Sequence, residues 1–208
     1  MFTGIIQAKG NIKEIRISNK GAVFVLNSNS LELSDVSIGD SIAVNGVCLT
    51  ITQLDKNSFS ANVSQETLNC TTFSQLRKGQ NINLEKSLRL DQGIDGHLVS
   101  GHVDGVGEVV SLQKEGESTR LKIKVKNDLS KYIAKKGSIC INGVSLTVNS
   151  VEADIFDVNI VPHTLSVTTL GELIENSRVN IEIDIIARHI EQLISHKSTT
   201  GVDISTPK

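Results

Sequence analysis

The chain has no tryptophan, one tyrosine, one methionine and two prolines in 208 residues, and aromatics make up only 3% of it. So few rings argue against a stacking platform for nucleic-acid bases. No run of about 18 apolar residues occurs, so a membrane-spanning helix is not expected. Excess charge of one sign is also missing. Residues 1–97 carry 9 Lys/Arg against 9 Asp/Glu, and residues 98–208 carry 12 against 14. Neither half supplies the counterion release that drives nucleic-acid binding. The opening MFTGIIQAKG lacks the charged and apolar regions of a secretory signal. Three cysteines, Cys48, Cys70 and Cys140, without C-x-x-C spacing, speak against a disulfide framework and a structural zinc site, and point to a reducing cytoplasm. Dinucleotide and P-loop fingerprints are absent too: Gly105-Val106-Gly107 is followed by Val110 where a third glycine is needed.

What the chain does contain is a repeat. Asn45-Gly46-Val47-Cys48-Leu49-Thr50 matches Asn142-Gly143-Val144-Ser145-Leu146-Thr147 at an offset of 97 residues. The same offset relates Gly4 to Gly101, Gly10 to Gly107, Phe59 to Phe156, Thr67-Leu68 to Thr164-Leu165, Thr71-Thr72 to Thr168-Thr169 and Asn83 to Asn180, without a gap. Two copies of one domain follow. Within a copy apolar residues alternate, as in Val23/Val25, Ile42/Val44, Leu49/Ile51 and Phe59/Ala61/Val63, the period of half-buried strands. Asn45-Gly46 predicts a tight hairpin turn. About six short strands per copy, with one helix-like interruption near 71–78, predict an all-β fold of two closed barrels or sandwiches. Residues 86–96 break the alternation and read as the linker, which divides the chain into 1–96, 97–184 and 185–208. Ile186, Ile190, Leu193 and Ile194 fall on one face of a C-terminal helix. That stripe either packs back on its own barrel or mediates self-association.

Small polar residues flanking turns are duplicated as well: Cys48/Thr50 with Ser145/Thr147, and Asn62/Thr67 with Asn159/Thr164. Spacing of two on a strand puts Cys48 with Thr50, and Ser145 with Thr147, on one face, beside glycines that let backbone approach a ligand. His102 takes the place that Ile5 holds after Gly4, and His163 matches Glu66, so the two sites share a shape and divide their chemistry. His97 and His102, five apart, lie on opposite faces of any regular strand and are unsuited to joint metal ligation. His189 and His196 read as surface residues of the last helix.

MFTGII, SIAVNGVCLT, ETL-x-x-TT, VNIE and above all Gly96-His97-Leu98-Val99-Ser100-Gly101-His102-Val103-Asp104-Gly105 resemble the riboflavin synthases, from Met1 to about Leu193. The resemblance implies tandem six-stranded Greek-key β-barrels, assembled as a homotrimer by C-terminal helices. It implies conversion of two molecules of 6,7-dimethyl-8-ribityllumazine into riboflavin and 5-amino-6-(D-ribitylamino)uracil, with no redox or metal cofactor. Each active site would pair an N-terminal barrel with the C-terminal barrel of a neighbour. Carried over, the first pocket comprises Gly4, Ile5, Ile6, Cys48, Leu49, Thr50, Asn62, Val63, Ser64, Gln65, Glu66 and Thr67, with Ser41 nearby. The second comprises Gly101, His102, Val103, Lys136, Ser145, Leu146, Thr147, Asn159, Ile160, Val161, Pro162, His163 and Thr164. His102 is the expected proton-transfer group, Ser145 and Thr147 would place a hydroxyl or water, and Cys48 would act as a thiol or line the pocket. Two positions depart from the pattern: Asp95-Gly96 replaces a glycine pair, and Asn62 stands where some relatives have Asp. A lumazine-carrying antenna protein is the main rival, and a reductase-type flavin barrel is disfavoured because the only tyrosine, Tyr132, lies outside an R-x-Y-[ST] motif. Association with lumazine synthase is left open by the sequence.

Overall fold

Alternation of apolar and polar residues becomes twelve strands among the described residues. The computed structural model describes the backbone of residues 1–200 and the side chains of residues 1–194, so the His196 side chain and the last eight residues lie outside it. The first copy forms β1 (Ala8–Ser18), β2 (Gly21–Asn27), β3 (Ser41–Val44), β4 (Val47–Asp55), β5 (Ser58–Ser64) and β6 (Asn81–Lys86). The second forms β7 (Gly105–Glu115), β8 (Ser118–Lys124), β9 (Ser138–Ile141), β10 (Val144–Glu152), β11 (Ile155–Ile160) and β12 (Arg178–Ile183). Both close into antiparallel barrels, in the ring order β1-β2-β5-β4-β3-β6 and its equivalent in the second copy, so the sandwich alternative falls away. Even the irregularities repeat. Bulges at Ile12/Glu14 and Ile51/Gln53 recur 97 residues on, at Val109/Ser111 and Val148/Ser150.

The predicted hairpin is present: Val44 pairs with Val47 across Asn45 and Gly46, whose φ values are 45° and 79°, the positive pair that a two-residue turn requires. The helical interruption begins earlier than the sequence pattern indicates. Helix α1 spans Gln65–Cys70, because Ser64 caps it by accepting a hydrogen bond from Thr67 N, and a 3-10 turn follows at Thr72–Gln75. Short helices α2 (Asn127–Ser130) and α3 (Pro162–Val167) lie in the second copy, and α4 (Ile185–Thr200) follows it. No helix among the described residues is long and apolar enough to cross a membrane.

Each barrel has its own core, the first built on Phe24, Phe59 and Phe73 and the second on Phe156, Leu121 and Ile181. Between them a pseudo-twofold axis is stitched by four buried asparagines. Asn83 donates from Nδ2 to Asn142 O (2.8 Å) and accepts at Oδ1 from Thr169 N (2.7 Å). Asn180 donates to Asn45 O (2.8 Å) and accepts from Thr72 N (2.8 Å). The main-chain N–H of each is bound in turn by the turn asparagine of its own barrel. Leaving any one of these buried groups without a partner costs about 1–3 kcal/mol, so the network fixes the barrels relative to each other. A third apolar cluster, Phe2, Ala43, Val99 and Cys140, fills the axis, and Phe2 pairs with its own repeat equivalent, Val99, in a two-residue ladder.

Candidate active site

Where the two glycine-led segments go corrects the expected grouping. Gly4 does not face Cys48: its carbonyl accepts from Ser145 N (2.8 Å), and Ile6 packs on the core of the second barrel. Gly101 does not face Ser145: its carbonyl accepts from Cys48 N (2.9 Å), and Val103 packs on the core of the first barrel. The segments are therefore exchanged, so each barrel's cup is completed by the segment preceding the other barrel.

The cup on the second barrel is a cavity of about 360 Å³. Ser145, Leu146 and Thr147 from β10 line it, with Ser138 from β9, Asn159 from β11, Val161 and Thr164 at α3, and Ile5 with Asp95-Gly96 across the mouth. Ser145 and Thr147 thus share a face as their spacing requires, while Ile160 is turned into the barrel core. Lys136, at the exposed turn before β9, and Pro162 and His163, exposed on α3, are not among the lining residues. On the first barrel, Cys48 and Thr50 point outward from β4 and Asn62 and Ser64 outward from β5, whereas Leu49 and Val63 are core. Ser41 on β3 pairs with Thr50, Thr67 is tied to Ser64 at the start of α1, and Gln65 and Glu66 are exposed on that helix. His102 is exposed and follows Gly101, whose carbonyl meets Cys48 N, so its main chain borders this cup.

The group expected to carry chemistry is accordingly divided: His102 and Cys48 belong to the first cup, Ser145 and Thr147 to the second. Behind Ser145 of the second cup stands a histidine to which sequence reasoning assigned no chemical role. His97 Nδ1 lies 2.6 Å from Ser145 Oγ, and its Nε2 is buried with no partner among the described residues. The sequence signals for it were its place in the Gly96–Gly105 motif and its spacing from His102, since the repeat has no counterpart at that position. Burial lowers the His97 pKa, opposed by the carboxylate of Asp184. The neutral ring can accept the Ser145 proton, which makes the pair a hydroxyl–imidazole couple suited to proton transfer.

A depressed imidazole pKa also has a stability consequence. As pH falls through the ordinary imidazole range, about 6.5, the unfolded chain takes up a proton that the folded chain refuses until lower pH, so stability drops in that window and is unaffected above it. Urea unfolding at pH 7.5 and 5.5 should show this loss in the native chain and a smaller one in His97→Gln. Equal slopes would mean that His97 is not desolvated.

Two cups of one design, wrapped across one axis, define a tandem lumazine-binding protein, and the lumazine binding domain matches residues 3–87 and again residues 100–184. A riboflavin synthase of Photobacterium leiognathi is 47% identical over 194 residues, covering 93% of this chain and 89% of that relative. The riboflavin synthase of Bacillus subtilis (strain 168) is 37% identical over 198 residues, covering 95% and 91%. Among solved structures, LumP complexed with 6,7-dimethyl-8-(1'-D-ribityl) lumazine superposes with a TM-score of 0.78 at 28% identity, covering 88% of this chain and 98% of LumP. LumP complexed with riboflavin gives 0.79 at 30% identity, covering 88% and 99%. The chain belongs to the riboflavin synthase family.

Proposed function

We propose that the chain converts two molecules of 6,7-dimethyl-8-ribityllumazine into riboflavin and 5-amino-6-(D-ribitylamino)uracil, by moving a four-carbon unit from one to the other. The observation that carries this reading is the duplicated cup with non-duplicated chemistry. The walls are equivalent, yet Ser145 with His97 stands in one cup where Cys48 with His102 stands in the other. Two like pockets suit two identical reactants, and unlike polar groups let one give up a proton while the other accepts a nucleophile. Holding two rings in register contributes a proximity effect of about 7–11 kcal/mol.

In this reading residues 1–96 and 97–184 are the binding units and residues 185–208 the assembly segment. Cys48, Thr50, Asn62 and Ser64, with His102, hold one lumazine; Ser145, Leu146, Thr147, Asn159, Val161 and Thr164, with Ile5, hold the other. Outward hydroxyls and backbone amides address the uracil-like edge while aliphatic side chains cover the ring faces. A proton leaves the acidic C7 methyl of one lumazine toward His102 or the Ser145–His97 couple. Homotrimeric assembly, with the first barrel of one subunit facing the second barrel of another, is supported by α4. Its Arg188 pairs with Asp104 and its Glu191 with Lys131 and Tyr132 on the second barrel, which leaves Ile186, Ile190 and Leu193 more than half exposed. The polar face grips the chain's own barrel and the apolar face is presented outward, the reverse of a helix that packs back on its own core. The free cysteines fit a cytoplasmic enzyme.

Incubation of the purified protein with the lumazine tests the proposal: riboflavin fluorescence should appear, with the pyrimidine formed in equal amount. Tight binding without turnover would favour a carrier such as LumP. His102→Gln is expected to slow the single-turnover rate about 100-fold with lumazine affinity retained, and an unchanged rate would remove His102 from proton transfer.

A further inference from the structure

Two buried carboxylates stand outside the site just described. Glu85 on β6 and Glu182 on β12 are repeat equivalents, each only 3% exposed. Glu85 accepts from Thr3 N (2.7 Å), Thr3 Oγ1 (2.8 Å) and Gly4 N (3.1 Å). Glu182 accepts from Ser100 N (2.6 Å), Ser100 Oγ (2.6 Å) and Gly101 N (3.0 Å). No lysine, arginine or histidine pairs with either among the described residues. Burial raises both pKa values, and the donated hydrogen bonds work against that rise. Keeping an uncompensated carboxylate out of water is expensive, so its three donors are the reason it can be there. Those donors come from the two exchanged segments and nowhere else.

The geometry links each carboxylate to the opposite cup. Thr3 and Gly4, held by Glu85 of the first barrel, deliver the Gly4 carbonyl to Ser145 N at the second cup. Ser100 and Gly101, held by Glu182 of the second barrel, deliver the Gly101 carbonyl to Cys48 N at the first cup. The two oxygens of one carboxylate engage two successive main-chain N–H groups and so fix the orientation of the peptide between them. An amide in that place keeps one acceptor and turns an N–H₂ toward the other N–H, which releases the glycine.

We propose that Glu85 and Glu182 are positioning residues wired crosswise: Glu85, on the first barrel, sets the ligand affinity of the second cup, and Glu182, on the second barrel, sets that of the first. This rests on the reading that each cup takes one heterocycle. The consequence is that neither barrel's pocket is autonomous. Disturbing β12 reports at Cys48 and His102, and disturbing β6 reports at Ser145.

The test uses the full-length chain and isotope-labelled riboflavin as probe, with bound NMR signals assigned by Thr50→Val for the first cup and Thr147→Val for the second. The wild-type chain should hold two riboflavins with distinct signals. Glu182→Gln is expected to weaken the first-cup signal about 10- to 100-fold and to leave the second within about threefold, with Glu85→Gln showing the converse. Ser100→Ala and Thr3→Val, which remove one donor each and keep the charge, should give the same pattern at smaller amplitude and serve if the glutamine variants do not fold. A merely structural role would lower both sites together, and that result overturns the proposal, as does loss confined to the cup of the mutated barrel. A wild-type chain that binds a single riboflavin overturns instead the two-cup reading.

Discussion

Charging the outward stripe of α4 by Ile190→Glu with Leu193→Glu is expected to disperse the assembly and to cut riboflavin formation by at least about 100-fold, while both barrels stay folded and still bind riboflavin. What holds α4 in place decides the outcome. Its attachment to the second barrel is polar, through Arg188–Asp104 and Glu191 with Lys131 and Tyr132, and none of these contacts is touched by the substitutions. Ile190 and Leu193 are 51% and 65% exposed within one chain, so glutamate there costs the monomer little. In an assembly built on that stripe, a buried glutamate without a partner costs several kcal/mol. Turnover needs two lumazines in contact, and if their cups come from different subunits, dispersal removes the proximity effect without removing either cup. Light scattering and initial rates measured on the same samples check the linkage. A dispersed but fully active chain would place both lumazines of a reacting pair on one subunit.

The offset of 97 residues made the two-barrel architecture readable, down to the bulges, because a duplicated hydrogen-bond pattern needs a duplicated residue pattern. The same offset hid the exchange of the glycine-led segments. Gly4 and Gly101 are equivalent whether each serves its own barrel or the other, so self-comparison cannot distinguish the two arrangements. Only the three-dimensional contacts with Ser145 and Cys48 separate them. Glu85 and Glu182 were illegible for a related reason. In an alternating strand a glutamate reads as solvent-facing, and what makes burial tolerable is a pair of N–H groups some 80 residues distant in sequence. His97 opens the second unit, where the offset of 97 leaves no residue in the first copy to match it. The early start of α1 was within reach of the sequence, since Ser64 ahead of a helix is an N-cap residue.

Gly101→Ala is expected to destabilise the chain by about 2–5 kcal/mol, the left-handed backbone cost added to overpacking, and to empty the first cup preferentially. Gly101 holds φ +79°, and a Cβ there would lie 2.6 Å from Cys48 Cβ and 3.0 Å from Cys48 N. No rotamer relieves that approach, because the Cys48 atoms involved are main chain and Cβ, and the strand behind them is core through Leu49 and Ile51. The segment has to lift away. The bond from Cys48 N to the Gly101 carbonyl is then lost, and His102 is carried out of the cup with it. Gly4→Ala meets the same geometry at Ser145, with φ +77° and a Cβ 2.6 Å from Ser145 Cβ, so the mirror experiment should empty the second cup. Riboflavin titration of the two variants, alongside their urea midpoints, separates cup-specific loss from general unfolding. If Gly101→Ala instead weakened the Ser145 side and spared the Cys48 side, the exchange of segments between barrels would be wrong.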